Sequence, residues 1–344
     1  MLERVLIVGS GITAAVTASL LRNILPSTCS LSIWDKARGP GGRMATNRCP
    51  NNDRCTVDLG VQYISPISSE LHDHKSIYND LLQNGFLSPM RGSIEGENPY
   101  DDDATHYVTP KGSGSIVKHF LEAAGAAIRY NHHVDSITLC DNKTWDVCTL
   151  GGQKEQFDCV LLTMPAPQIL QLKGSIPSLL ESQQVAQRLE AVSYSARFAL
   201  GLFFSPVVTI NVPWSVKYVE RDPVIRYIAI DNKKRDSDQD VSMVVHTTVP
   251  FGLENIERDK DTICQEVVLP RLRELMPDLP TPVSVKNHKW RFSQVHHAYE
   301  GKPGAVVLNE APLLVIGGDS FTYSKLDGCV YSAEKMVKII SAKL

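Results

Sequence analysis

The chain has 344 residues, 43% hydrophobic and 21% charged, with 35 Lys+Arg against 38 Asp+Glu and a formal net charge of −3. This composition excludes global disorder, and at roughly 150 residues per domain the length points to two domains with substantial cores. The near-neutral balance excludes a general nucleic-acid or anionic-membrane binder, which needs a basic excess. The chain begins with 17 uncharged residues, 5–21, between Arg4 and Arg22. That run falls short of the roughly 18–20 apolar residues of a spanning helix. Glu3 beside Arg4, and Gly9 and Gly11 inside the run, also depart from an export signal. The better parse is a buried strand at 4–8, a glycine turn, and a helix to about Leu25.

Gly9-x-Gly11-x-x-Ala14 matches the dinucleotide-binding fingerprint. Gly9 makes the tight turn, Gly11 lets the backbone approach a pyrophosphate, and Ala14 keeps helix and strand close. Amide groups and the dipole at the helix start favour the phosphates. A second strand at 30–34 ends in Asp35, 21 residues after Ala14, where a carboxylate can accept from ribose hydroxyls. Lys36, Arg38 and the cluster Gly41-Gly42-Arg43-Met44 follow directly. This resembles the GG motif of flavoproteins with two dinucleotide-binding domains. There the glycine backbone comes close to the FAD phosphates and an arginine adds a planar multi-donor cation. The pattern points to FAD, not nicotinamide, as the tightly held cofactor.

Farther on, 56–64 reads as strand or extended chain, 69–84 as a helix stopped by Gly85, and acidic 95–103 as a surface loop. Ser113 and Ser115 precede a helix at 116–124 that ends at Gly125, and they read as caps before ligand contacts. Strands follow at 127–130, 133–139 and 144–150, then a buried run at 156–162 leading to Thr163 and Pro165. A helix near 179–192 precedes four strand-like runs, 197–204, 216–219, 225–230 and 242–248. Their succession without helices predicts an antiparallel sheet, the wall of a substrate chamber. A helix near 259–276 closes this region. The chain then returns to cofactor chemistry with a buried strand ending in Gly317-Gly318-Asp319. Asp319 is placed to accept from ribityl hydroxyls, and a terminal helix opening near Asp327-Gly328 to aim amides at the flavin pyrimidine; an ordinary strand–helix junction is the plainer alternative.

The predicted fold class is α/β with an α+β insertion: a Rossmann-like FAD domain and a mostly antiparallel substrate domain. The expected boundaries are 1–75, 106–172 and 288–344 for the first, and 76–105 with 173–287 for the second. The eight cysteines hold no C-x-x-C pair and fit neither a disulfide framework nor a zinc site, and no metal is expected. Cys49 and Cys55 are the one close pair that invites a bridge, with free buried thiols the commoner outcome. Sparse cysteines and a structural N-terminus favour a reduced, cytoplasmic protein.

Several segments lie outside generic FAD motifs and together resemble the renalase family, flavoproteins related to the amine oxidases. They include Trp34-Asp35-Lys36, the 58–64 run DLGVQYI, 189–195 (LEAVSYS), 230–235 (IDNKKR), 246–252 (HTTVPFG) and His288-Lys289-Trp290. The resemblance implies a fold in the manner of p-hydroxybenzoate hydroxylase and non-covalent FAD held by Thr13, Arg43, Gln62 and Tyr63, with the strand to Thr163 beside it. It also implies oxidation of dihydronicotinamide dinucleotides reduced at ring carbon 2 or 6 to NAD(P)+, with dioxygen reduced to hydrogen peroxide. The same resemblance brings amine oxidation, secretion and a signalling role with structural flavin as alternatives.

Hydride transfer straight to the flavin needs no general base, which suits a chain without a Ser/His/Asp or paired-carboxylate motif. His246 and Trp290 are the candidates for the chamber, the first to orient a carboxamide and the second as an aromatic wall. A satisfied strand histidine and a core tryptophan are the plainer alternatives. Lys233-Lys234-Arg235 reads as a solvated turn or, less simply, as a contact to substrate phosphates. For an amine substrate, Tyr194, Tyr218 and Tyr227 would have to form a cage. Cys329 carries no motif for a covalent flavin link.

Overall fold

The computed structural model describes residues 2–96, 104–238 and 240–344, so most of the acidic segment expected as a loop lies outside the described residues. The chain divides into two compact units, one formed by Met1–Gly42, Ile116–Ser193 and Val295–Leu344, the other by Arg43–Ser115 and Tyr194–Gln294.

The first unit is built on a six-stranded sheet in the order Ala305–Glu310, Leu313–Gly317, Cys159–Leu162, Arg4–Val8, Ser30–Trp34, Ala127–Arg129. All neighbours are parallel except the antiparallel pair 305–310 and 313–317. Val5, Leu6 and Ile7 are fully buried, as a central strand of a two-sided parallel sheet requires. The N-terminal run is therefore structural. Among the described residues no helix is long and apolar enough to cross a membrane. The first helix, Ile12–Arg22, stops short of Leu25 because the Arg22 guanidinium donates to the carbonyls of Leu25, Pro26 and Cys29, turning the chain.

The single run expected at 156–162 serves two sheets. Lys154–Phe157 joins a four-stranded sheet with Trp145–Thr149, Val134–Leu139 and Lys173–Gly174, while Cys159–Leu162 enters the large one. The junction is Asp158, whose carboxylate accepts from the amides of Glu3 and Arg4 at 3.1 and 2.8 Å. The helix expected near 179–192 is two, Ile176–Ser182 and Ala186–Glu190, separated where Gln184 takes a positive φ of 56°.

The second unit holds a six-stranded sheet ordered Ser284–Trp290, Arg197–Phe203, Ser242–Thr247, Ile225–Ile230, Val216–Tyr218, Ile94–Glu95. Its first five strands are antiparallel; the last pairs in parallel. Period-two alternation builds two cores. Phe198, Leu200 and Leu202 face Ile263, Val268 and Leu272 of the helical segment 260–275. Ala199 and Phe203 face Val57 and Leu59. That helical segment is Lys260–Ile263 and Leu269–Leu275 joined by a π turn, Cys264–Val268, just before Pro270, which has no N–H to give the carbonyl four residues back. The helix expected at 69–84 is likewise broken, at His74, into Ser68–Asp73 and Lys75–Gln83.

The division falls elsewhere than the sequence suggested. Residues 43–75 and 106–115 group with the antiparallel sheet, as does 288–294, while 173–193 groups with the parallel one. The reason is a hairpin, Thr46–Cys49 with Asn52–Asp58, lying over Gly201. A Cβ at Gly201 would come within 2.7 Å of Val57 and 2.9 Å of Leu59, so glycine there admits the hairpin. Lys173–Gly174 meanwhile pairs with Ser136–Ile137 of the first unit. None of the eight cysteines, Cys49 and Cys55 included, is in a disulfide. Burial raises Cys55 to about 11 and Cys264 to about 12, so both stay protonated and inert.

Candidate functional site

In the first unit the two glycine motifs form one cradle. Gly9 (φ 109°) donates its amide to Trp34 O at 2.8 Å, and a Cβ there would lie 2.5 Å from Thr163 Oγ1. Thr163 Oγ1 itself donates to Val8 O at 2.8 Å. Gly11 caps the helix Ile12–Arg22 with ordinary extended backbone, and a Cβ added to it would meet no protein atom within 4 Å. Gly41 N donates to Ser10 O at 3.0 Å, and a Cβ on Gly42 would come 3.7 Å from Gly11 Cα, which lays the second motif on the first. The first intrahelical bond runs from Ala15 N to Gly11 O. The amides of Ile12, Thr13 and Ala14 thus precede the helix ladder at its positive end.

Asp35 closes this cradle. Its Oδ2 accepts from Ser10 N and Ser10 Oγ, both at 2.6 Å, and its Oδ1 from Ala37 N at 2.7 Å. Lys36 is exposed beside it. At the other end of the chain, Gly318 (φ 117°) donates to Ser332 Oγ at 2.7 Å, and a Cβ there would lie 3.3 Å from Thr163 O. The buried Asp319 carboxylate accepts from Ser324 Oγ. Gly328 has a packing reason to be glycine: a Cβ would sit 2.2 Å from Tyr323 O at the start of the helix Leu326–Ser341. Glycine-lined backbone, ladder-free amides and an acidic strand end in one place fit a dinucleotide such as FAD.

The remaining candidates lie in the second unit, around the segment 58–62. Leu59 O accepts two hydrogen bonds, from His246 Nε2 at 2.9 Å and Trp290 Nε1 at 2.8 Å. Since a carbonyl only accepts, His246 carries its proton on Nε2. Gly60 passes against Arg43 O, which also accepts from Val61 N at 3.0 Å. The Arg43 guanidinium donates to Ser293 O at 3.4 Å. Gln62 Nε2 donates to Asp58 O and Gly60 O, and Tyr63 shares a 2.6 Å hydroxyl bond with Tyr218. Tyr218 packs edge-on to Tyr227, whose ring lies 5.5 Å from His246; Tyr194 pairs with Phe292 instead. The three tyrosines do not form one cage.

Burial, with Arg197's charge added, pulls the His246 imidazole down to about 3; burial and Lys260 pull His288, whose ring centre lies 3.9 Å from that of Trp290, to about 4. Both are neutral in the folded chain at neutral pH and both bind a proton near 6.5 when unfolded. The unfolded state therefore holds more protons between about pH 6.5 and 4, and stability must fall as pH falls through that window. We expect a slope of up to about 1.4 kcal/mol per pH unit for each imidazole. Denaturant melts from pH 7.5 to 4.5 would read it, and His246→Gln should flatten the decline.

Sequence reasoning missed what lies beneath this segment. Lys234 and Arg235 are not a solvated turn: their side chains, with those of Asp58 and Asp231, are at most 1% exposed. Lys234 Nζ lies 2.6 Å from Asp231 Oδ1, and Arg235 NH2 bridges Asp58 Oδ2 and Asp231 Oδ2 at 2.7 and 2.8 Å. Arg235 NH1 donates to Thr56 Oγ1, and Asp58 accepts from Ser113 N and Thr46 Oγ1. Burial pushes the Asp231 carboxyl up, but Arg235 and Lys234 override it and hold it below the usual carboxylate range. Lys233 turns away to Val212 O at 2.7 Å. The fourfold charge cancellation is the signal a sequence offers only once the partners are known.

Comparison with known proteins agrees with this geometry. Residues 7–81 match an NAD(P)-binding Rossmann-like domain, and 94–338 match the flavin containing amine oxidoreductase family. Renalase of Mus musculus is 43% identical over 342 residues, covering 98% of this chain and 99% of its own. A solved protoporphyrinogen-oxidase-like structure from Exiguobacterium sp. 255-15 superposes with a TM-score of 0.75 at 16% identity, covering 99% of both chains, a likeness of fold. The chain belongs to the renalase family within the flavin-containing amine oxidoreductases, and is an FAD-dependent oxidoreductase.

Proposed function

We propose that the chain oxidises dihydronicotinamide dinucleotides reduced at ring carbon 2 or 6, returning them to NAD(P)+. FAD, when bound, would supply the two-electron acceptor for the hydride, with dioxygen as the terminal oxidant reduced to hydrogen peroxide. In this reading the amides of residues 12–14, with Gly9, Gly11, Thr13 and Gly42, receive the FAD pyrophosphate, and Asp35 with Lys36 the adenosine end. Arg43, Gln62, Tyr63, Thr163, Gly318, Asp319 and the helix opening by Gly328 attend the flavin half. His246 and Trp290 form the substrate wall.

The observation that carries the reading is the neutral, tethered imidazole. His246 gives its one N–H to Leu59 O and is too weak a base to take a proton from an alkylammonium near neutral pH. A wall of this kind orients an uncharged ring and moves no proton. Loss of hydride from a dihydronicotinamide leaves an aromatic cation without deprotonation, so nothing more is asked of it. Amine oxidation, the alternative favoured by the family model over 94–338, requires the substrate to lose a proton first. FAD-loaded protein mixed anaerobically with each dihydronicotinamide isomer should bleach within seconds, and with primary amines should not. Bleaching by amines alone would overturn the proposal.

A further inference from the structure

Replacing a buried ion pair with apolar side chains is often neutral or stabilising, so a buried lysine is poorly explained by stability alone. Lys234 is such a residue, and its ammonium has a second directed bond, to Gln62 Oε1 at 2.9 Å. That bond decides which way the Gln62 amide faces. With Oε1 on the ammonium, Nε2 must point to Asp58 O and Gly60 O, at 2.5 and 3.0 Å. Reversed, the amide would set its oxygen against two carbonyl oxygens and its NH2 against a cation. The carbonyls that Gln62 staples flank Leu59, and the Leu59 carbonyl holds His246 and Trp290. From the other side, Asp58 N donates to Asp231 Oδ2 at 3.1 Å, so the same ion cluster grips the start of the segment.

We propose that Lys234 is a positioning residue for the His246–Trp290 wall, acting through the orientation of the Gln62 amide. Its consequence for turnover rests on the function proposed above; its structural part does not. The test is a double-mutant cycle of Lys234→Met and Gln62→Ala in the FAD-loaded full chain. Two readouts are followed: the rate of anaerobic flavin reduction, and the NMR resonance of the His246 Nε2 proton that bonds Leu59 O. Each single variant should slow reduction roughly 10- to 100-fold and shift the resonance, because small misplacements are costly in catalysis. The double variant should be no worse than the poorer single one.

Additive effects, or a Lys234→Met variant that keeps both rate and resonance, would overturn the proposal. Should Lys234→Met fail to fold, the pair Asp231→Asn with Lys234→Met removes both charges of the ion pair and takes its place in the cycle. If dihydronicotinamides fail to reduce even the unmodified protein, the proposed function falls. The His246 resonance across the same four proteins then still decides the role of Lys234.

Discussion

Gly60→Ala should destabilise the folded chain by about 3 kcal/mol, near the upper end of ordinary overpacking costs. The backbone there is not strained; the cost is one of space. A Cβ would lie 1.9 Å from Arg43 O and 2.9 Å from Arg43 C, with Trp290 Cζ2 at 3.3 Å. Neither the carbonyl nor the indole is a flexible side-chain end, so the backbone must move. Movement breaks the bond from Val61 N to Arg43 O and disturbs Gly60 O, which Gln62 holds. Gly151→Ala is the matched control: its Cβ would touch only Thr149 Oγ1, at 3.7 Å. Urea denaturation of the two variants should separate them widely, with Gly151→Ala within about 0.5 kcal/mol of the parent. A Gly60→Ala chain with the parent's midpoint would show that the Arg43 carbonyl does not lie against Gly60.

The second large effect is expected on cofactor binding without one on folding. Gly11→Ala should leave the FAD-free chain as stable as before and weaken FAD at least 100-fold, about 2.7 kcal/mol. The backbone of Gly11 is extended, with φ −79° and ψ −177°, and accepts any residue. Its Cβ would meet no protein atom within 4 Å, so the cost expected is to the phosphates that the proposed function seats at this turn. Gly9→Ala is the instructive contrast. There the positive φ and the 2.5 Å approach to Thr163 Oγ1 should damage folding and binding together. Titration of FAD into the apo-proteins, paired with their melting temperatures, reads both. Undiminished affinity in Gly11→Ala would remove the phosphates from this turn.

The cradle was legible because its chemistry is local. Glycines, a strand, a helix start and an acidic strand end fall within 35 residues, each with its own sequence mark. The antiparallel sheet was legible from four strand-like runs that follow one another without an intervening helix. What was hidden depends on distance along the chain. The run 233–235 looks like a wet turn because Asp58, which shares Arg235 with Asp231, is 177 residues away. The unit boundaries were misplaced because the hairpin at 46–58 needs Gly201, a residue unremarkable until Val57 lies over it. The edge strand Ser284–Trp290 carries three lysine or histidine residues among its seven and hides its pairing with Arg197–Phe203.

The acceptor at the chamber wall belongs to no side chain. The oxygen that tethers His246 and Trp290 is the main-chain carbonyl of Leu59. Every amino acid supplies that atom, so descendants of this chain can exchange residue 59 for another apolar one and inherit the tether intact. The wall can drift in composition at its hinge while its two rings keep their bearing. An engineer wishing to retune the chamber would accordingly gain little at position 59, would unsettle the backbone at Gly60, and should alter the rings.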